Sequence, residues 1–308
     1  MQEAGRTGRA AVIGLGSMGL GMALSLRRAG FEVAGCDLSA AAVERLVAAG
    51  GTGAKTPAEA AAGADIVVSV VVNAAQTESV LFGEAGCAAA MPEGAVFVSS
   101  ATMAPEAARG MAERLEATGR HYLDAPISGG AQRAAEGALT ILASGSSAAF
   151  ATARPALDAM AAKLYELGDA PGTGAAFKMV NQLLAGVHIA AACEAIAFAA
   201  RQGLDIRKVY EVITASAGNS WMFENRIPHV LDGDYAPRSA VDIFTKDLGI
   251  VMDMARSGKF PVPVAGAALQ MFLMTAAAGM GRDDDASVAR LYAQIAGLDL
   301  PGVPKKEG

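Results

Sequence analysis

Cysteine and histidine are scarce, three of each in 308 residues: Cys36, Cys87 and Cys193, and His121, His188 and His229. The cysteines are odd in number and none stands in C-x-x-C spacing, and the histidines lie far apart. Neither a disulfide framework nor a metal site is signalled, and reduced thiols in a cytoplasmic protein are the expectation. Excess basic charge is lacking too. A net charge of -6 and a pI near 5.2 give no field to gather nucleic-acid phosphates or anionic lipid, so neither is expected as a partner. The opening "MQEAGRTGRAAVIGLG" has too short an apolar run for a secretory leader. The longest apolar segment, 183–200, contains His188 and Glu194 and reads as a buried helix, not a membrane span. No internal repeat is visible. What is plentiful is apolar residue, 53% hydrophobic against 18% charged, in a chain long enough for two domains or one large one.

Between residues 10 and 168, short Val/Ile-rich runs alternate with Ala-rich helical stretches. "AAVIG", "FEVAGCD", "ADIVVSVVV", "GAVFVSS" and "HYLDAPI" read as strands, and "GALTILAS" and "AKLYELG" as further ones. Near-continuous apolar strands between helices imply a doubly wound, mostly parallel α/β sheet covered on both faces. After "GDAPGTG" the strand signals stop, and helical spacing predicts an all-α C-terminal part. The expected plan is 1–171, a long interdomain helix within 172–203, and 204–308. A helix of roughly 28 residues would run about 42 Å, and its apolar circumference requires burial between domains or between subunits. "GRDDDASVARLY" reads as an acidic start to the last helix, and "PGVPKKEG" as a frayed tail.

The stretch "AAVIGLGSMGLGMALSLRRAGFEVAGCDLS" places Gly14, Gly16 and Gly19 between a strand and a helix in G-x-G-x-x-G order, with Leu15, Ser17 and Met18 completing the loop. Such glycines permit a tight turn, close approach of backbone to a pyrophosphate and close helix-to-strand packing, and the helix start favours the phosphate charge. Asp37 ends the second strand, where a carboxylate accepts hydrogen bonds from ribose hydroxyls; the next residues, "LSAAA", hold no arginine to welcome a 2′-phosphate, so NAD is expected over NADP. The plainer alternative is a glycine turn with Asp37 capping the next helix. Val72 and Asn73, and Thr102, follow later strands and are expected at the same crevice, Thr102 having helix N-capping as its plainer role.

In "DAPISGG", Ser128, Gly129 and Gly130 follow a strand at that edge; a serine hydroxyl with successive N–H groups holds a carboxylate, or the segment is a turn. Lys178 is the sole formally charged residue between Asp169 and Glu194. Asn181 and Gln182, three and four residues on, share its helical face. A buried lysine at a cleft can move a proton near neutral pH, whereas a lysine that snorkels to water is structural. His188 is rotated off that patch and reads as a core or interface residue. Asn219, Ser220 and Asn225 are candidates for meeting a polyhydroxylated substrate, and Trp221 and Phe223 for core packing. Lys246 with Asp247 reads as a helix-borne pair whose plain role is a surface ion pair.

With "GLGSMG", "DAPISGG", "GTGAAFKMVNQ" and "FTKDLG" in this order and spacing, the chain resembles the β-hydroxyacid dehydrogenase family along nearly its whole length. The resemblance implies a Rossmann N-terminal domain and an all-helical C-terminal domain forming a homodimer or homotetramer around the long helix. It matches Lys178 to the catalytic lysine and Ser128, Gly129 and Gly130 to the carboxylate loop. Thr102 matches a cofactor contact, and Lys246 a residue closing over the nicotinamide. The family's usual Asn-Asn pair is Asn181-Gln182 here. That departure, with "VVNAAQTESVLFGE" and "AGNSWMFENRIPHVLDGDY", resembles the L-threonate dehydrogenase branch, implying NAD-dependent oxidation of the 2-hydroxyl of a four-carbon sugar acid. Alternatives are a 3-hydroxyisobutyrate dehydrogenase or tartronate semialdehyde reductase, and an NAD-binding regulatory or scaffold protein.

Overall fold

The computed structural model describes residues 8–303. Strand β1 (Arg9–Ile13) leads into α1 (Gly19–Arg28), followed by β2 (Glu32–Cys36), α2 (Ala40–Ala48), β3 (Thr52–Gly53), α3 (Pro57–Ala61), β4 (Ile66–Ser69), α4 (Ala74–Phe82), β5 (Val96–Ser99), α5 (Pro105–Glu116) and β6 (His121–Asp124). These six strands pair parallel in the order β3-β2-β1-β4-β5-β6, a Rossmann sheet whose direction of winding reverses between β1 and β4. Strand residues alternate between two cores. Val12, Val68, Val98 and Leu123 pack on one face, and Ala11, Val67, Phe97 and Tyr122 on the other. Covering both faces is what makes each strand read as an unbroken apolar run.

The chain then forms β7 (Ile127–Ser128), α6 (Gly130–Glu136), β8 (Leu139–Ala143), α7 (Ser147–Met160) and β9 (Ala161–Glu166). The further strands expected at "GALTILAS" and "AKLYELG" form as β8 and β9, and with β7 they make a separate three-stranded sheet, β7 antiparallel to β8 and β9 parallel to it. Two-residue strands such as β3 and β7 are too short to leave a sequence period.

Helix α8 (Thr173–Arg201) is 29 residues long, and α9 (Ile206–Thr214), α10 (Trp221–Asp232), α11 (Val241–Ser257), α12 (Pro263–Thr275) and α13 (Val288–Ala296) follow. The chain splits into two compact units, and in sequence the division falls between Lys178 and Met179, inside α8. The second unit has its own core, including Ile189, Cys193, Ile227, Phe244, Leu248 and Phe272. Thr173–Arg201 and Pro263–Met280 are long and apolar enough to cross a membrane by length and composition, and half of the most apolar window of the first is buried within the protein. Phe177, Val180, Leu184 and Phe198 on α8 are exposed.

The acidic run precedes the last helix as expected, through a 3-10 turn at Asp285–Ser287, and Asp284 and Asp285 are buried: Asp284 accepts from His229 Nδ1 and Asp285 from Arg226 Nε, while Asp283 pairs with Arg290. Arg238 donates to His229 Nε2, which makes that nitrogen an acceptor and puts the ring proton on Nδ1. Trp221 is half exposed rather than core, although Phe223 is buried. The tail expected to fray is held over its first residues: Pro301 and Gly302 lie against the Gly233 turn, Val303 packs on the second core, and Pro301 O accepts from the Tyr235 hydroxyl. Residues 304–308, like 1–7 of the opening segment, lie outside the described residues.

Candidate active site

The glycine loop follows β1. Gly14 donates to Cys36 O and Val70 donates to Ile13 O, so the loop hangs between β2 and β4 where the winding reverses. Gly14 has φ +91, and a Cβ there would lie 2.5 Å from Val70 O. A Cβ on Gly19 would lie 1.8 Å from Gly14 O, so α1 starts pressed against the loop. Around Gly16 the situation is opposite: no protein atom lies within 4 Å of a Cβ placed there. Gly16 and Ser17 are exposed and Met18 half-buried, whereas the Leu15 side chain is buried. Helix α1 has no side-chain cap and no acidic residue in its first turn. Its positive end and the space over Gly16 suit a pyrophosphate.

Asp37 accepts from Leu15 N through Oδ2 (2.6 Å) and from Ser39 N through Oδ1 (2.7 Å). The carboxylate therefore ties β2 to the glycine loop instead of capping α2, whose N-cap is Ser39. Each oxygen keeps acceptor capacity for a ribose hydroxyl. Val72 is exposed and donates its N–H to Gln76 Oε1, and Asn73 caps α4 by accepting from Gln76 N. Thr102 does not cap α5; the cap position is Ala104, followed by Pro105.

After β6 the chain turns at Asp124 into β7, which ends at Ser128. Gly129 (φ +139) and Gly130 (φ +78) adopt backbone conformations that favour glycine, and nothing lies within 4 Å of a Cβ on Gly130. Lys178 is 7% exposed, and its Nζ donates to Ile127 O at 2.8 Å. The lysine is thereby held against the residue preceding Ser128. It does not snorkel. Asp124 is buried beside this segment, and burial pushes its carboxyl up to about 6 against the N–H bonds from Ala175 and Gly172 that favour the charged form.

In the second unit, Asn181 Nδ2 donates to Gln182 Oε1 (2.9 Å), and Gln182 Nε2 donates to Asp247 Oδ2 (2.5 Å). Lys246 Nζ stands 2.5 Å from Asp247 Oδ1 as an ion pair. Asp247 is 1% exposed, so this is no surface pair. Because a carboxylate only accepts, it fixes which end of the Gln182 amide faces it. Of the polar residues in the Trp221 stretch, Ser220 caps α10, Asn219 donates to Thr214 O and Glu224, and Asn225 accepts from Arg226. Spacing alone marks Asp247 only as the neighbour of Lys246 and does not mark Asp124 at all.

Two family models match: the NAD binding domain of 6-phosphogluconate dehydrogenase over residues 9–168, and the NAD-binding domain of NADP-dependent 3-hydroxyisobutyrate dehydrogenase over 172–292. The L-threonate dehydrogenase of Cupriavidus necator is 53% identical over 291 residues, covering 94% of this chain and 97% of that protein. The L-threonate dehydrogenase of Escherichia coli K12 is 48% identical, with 94% and 96% covered. A crystal structure from Salmonella typhimurium described as 3-hydroxyisobutyrate dehydrogenase is 49% identical with a TM-score of 0.88, covering 92% of this chain and 99% of that one.

Proposed function

Since the chain belongs to the β-hydroxyacid dehydrogenase family and is an NAD-dependent hydroxyacid dehydrogenase, we propose that it oxidises the 2-hydroxyl of L-threonate, or a related four-carbon aldonate, to the 2-oxo acid, with Lys178 as general acid/base. The observation that carries this mechanism is the buried Lys178 Nζ fixed to Ile127 O beside the Ser128 loop. The likeness to the L-threonate dehydrogenases supports the substrate.

In this scheme bound NAD supplies the acceptor for the hydrogen and electron pair leaving C2. Gly14, Gly16 and Gly19, with Leu15, Ser17 and Met18, hold its pyrophosphate at the start of α1. Asp37 holds the ribose and repels a 2′-phosphate, and Val72, Asn73 and Thr102 line the crevice. Ser128, Gly129 and Gly130 take the substrate carboxylate. As the C2–H bond breaks, neutral Lys178 accepts the hydroxyl proton on its lone pair while another N–H keeps the bond to Ile127; in reduction the ammonium returns the proton. Asn181 and Gln182 meet the substrate's other hydroxyls, with Gln182 oriented by Asp247. Lys246 serves the substrate and the nicotinamide.

The name carried by the Salmonella structure supports a second reading, oxidation of 3-hydroxyisobutyrate. Initial rates of NADH formation across L-threonate, D-threonate, D-erythronate, 3-hydroxyisobutyrate and D-glycerate decide between them. L-threonate is expected to have the highest kcat/KM, and preference for 3-hydroxyisobutyrate would retain the lysine chemistry while removing the assigned substrate.

The working form in this reading is a homodimer or homotetramer. Exposed Phe177, Leu184 and Phe198 recur at multiples of seven residues along α8, with Val180 three after Phe177, which is the spacing of a helix-packing seam. Light scattering at micromolar concentration is expected to give at least twice the chain mass, and a monomer would contradict it. The three buried, unbridged thiols support a reducing cytoplasm, which cell fractionation tests.

A further inference from the structure

Asp124 closes β6, is buried, and touches neither substrate nor cofactor in the scheme above. Its Oδ2 accepts from Gly172 N (2.9 Å) and Ala175 N (2.8 Å). The Ser144 hydroxyl donates to the same oxygen at 3.4 Å and itself accepts from Gly174 N at 2.9 Å. The opening N–H groups of a helix have no partner within it; at α8 they end on one carboxylate and one hydroxyl, with negative charge at the positive end of the helix. Packing enforces the same seat, because a Cβ on Gly174 would lie 2.3 Å from Leu142 O and 2.9 Å from Asp124 O. One turn beyond Ala175, Lys178 reaches back to Ile127 O, on the segment that Asp124 begins. That segment grips the start of α8 twice, once by a carboxylate and once by a carbonyl.

We propose that Asp124 is the positioning residue for Lys178: its carboxylate sets the rotation and depth of the first turn of α8, and so where the lysine Nζ sits beside the Ser128 loop. The inference rests on the reading that Lys178 moves the proton. A cap wanted for stability alone would not take this form, since Asp124 Oδ1 has no hydrogen-bond partner. Arg109 on α5, Tyr122 on β6, Ser144 after β8 and the N–H groups of α8 face the carboxyl, and burial outweighs those that favour its charge. A folded pKa raised from 3.8 to about 6 means that the stability Asp124 contributes is fully present below 3.8 and lost as pH rises through about 6. The ionised form is thus held at neutral pH against its own cost.

The test compares the full-length D124A, D124N, S144A and K178A variants and the D124A/K178A double variant. D124A is expected to lower kcat by about 10²-fold, the scale of a 1 Å misplacement, with KM changed less than about threefold and NAD affinity unaltered. D124N, whose amide oxygen still accepts from the α8 N–H groups, should recover most of kcat. Its melting temperature should approach that of the parent as pH falls from 7 to 5, where Asp124 takes up its proton. In the K178A background D124A should cost nothing more, because a residue acting through the lysine has nothing left to act on. Full additivity in the double variant, or a D124A kcat near that of the parent beside an inactive K178A, overturns the inference and leaves the lysine reading standing. Near-normal turnover by K178A overturns both. If D124A does not fold, D124N and S144A decide: a kcat loss in S144A at constant KM, with kcat recovered in D124N, supports the inference, and a change in KM alone overturns it.

Discussion

Lys178→Ala is expected to lower kcat by about 10²- to 10⁴-fold, the usual worth of a positioned acid/base group, while NAD affinity stays within about twofold of the parent. The residues assigned to the pyrophosphate and the ribose lie on the loops after β1 and β2, whereas Lys178 lies on α8 with its Nζ on Ile127 O. Lys178→Arg sharpens the experiment. A guanidinium can still donate to Ile127 O, but it cannot give up a proton in a protein. The account expects the arginine variant to fold, bind NAD and remain nearly as inactive as the alanine variant. Substantial turnover by the arginine variant would mean that the lysine supplies charge or packing and that another group moves the proton.

The second large effect separates two glycines of one motif. Gly16→Ala adds a methyl group where no protein atom lies within 4 Å, so the variant should melt with the parent. The methyl would instead occupy the space assigned to the pyrophosphate, and KM for NAD is expected to rise about tenfold to a hundredfold, with kcat at saturation changed much less. Gly19→Ala places its methyl 1.8 Å from Gly14 O, a backbone atom that cannot swing aside. Overpacking of this kind costs about 1–3 kcal/mol or more, so this variant should lose stability first and cofactor binding as a consequence. Equal effects of the two substitutions on melting temperature would contradict the assignment of Gly16 to ligand approach.

The two glycine effects also mark how far the sequence could be read. Gly14, Gly16 and Gly19 announce themselves because each is a residue type the backbone requires, and the strands around them because a sheet covered on both faces leaves unbroken apolar runs. Lys178 stood out as one charge in an apolar helix. The separate β7-β8-β9 sheet did not stand out, since β7 has two residues and its pairing with β8 is set by tertiary packing. The polar chain Asn181–Gln182–Asp247–Lys246 is half legible in the sequence: Gln182 departs from the family's usual Asn, but its partner lies 65 residues away on another helix. Asp124 was hidden for a similar reason. Its partners, Ser144 and the start of α8, are brought to it only by the completed fold.

The most direct test of the central claim is to follow the hydrogen. L-threonate carrying deuterium at C2 or at C3 would be incubated with NAD and the purified protein, and the NADH formed examined by mass spectrometry. The account predicts deuterium in the NADH from the C2-labelled acid alone, at a rate that Lys178→Ala lowers by about 10²- to 10⁴-fold. Deuterium arriving from C3, or no NADH from L-threonate while 3-hydroxyisobutyrate turns over, would contradict it.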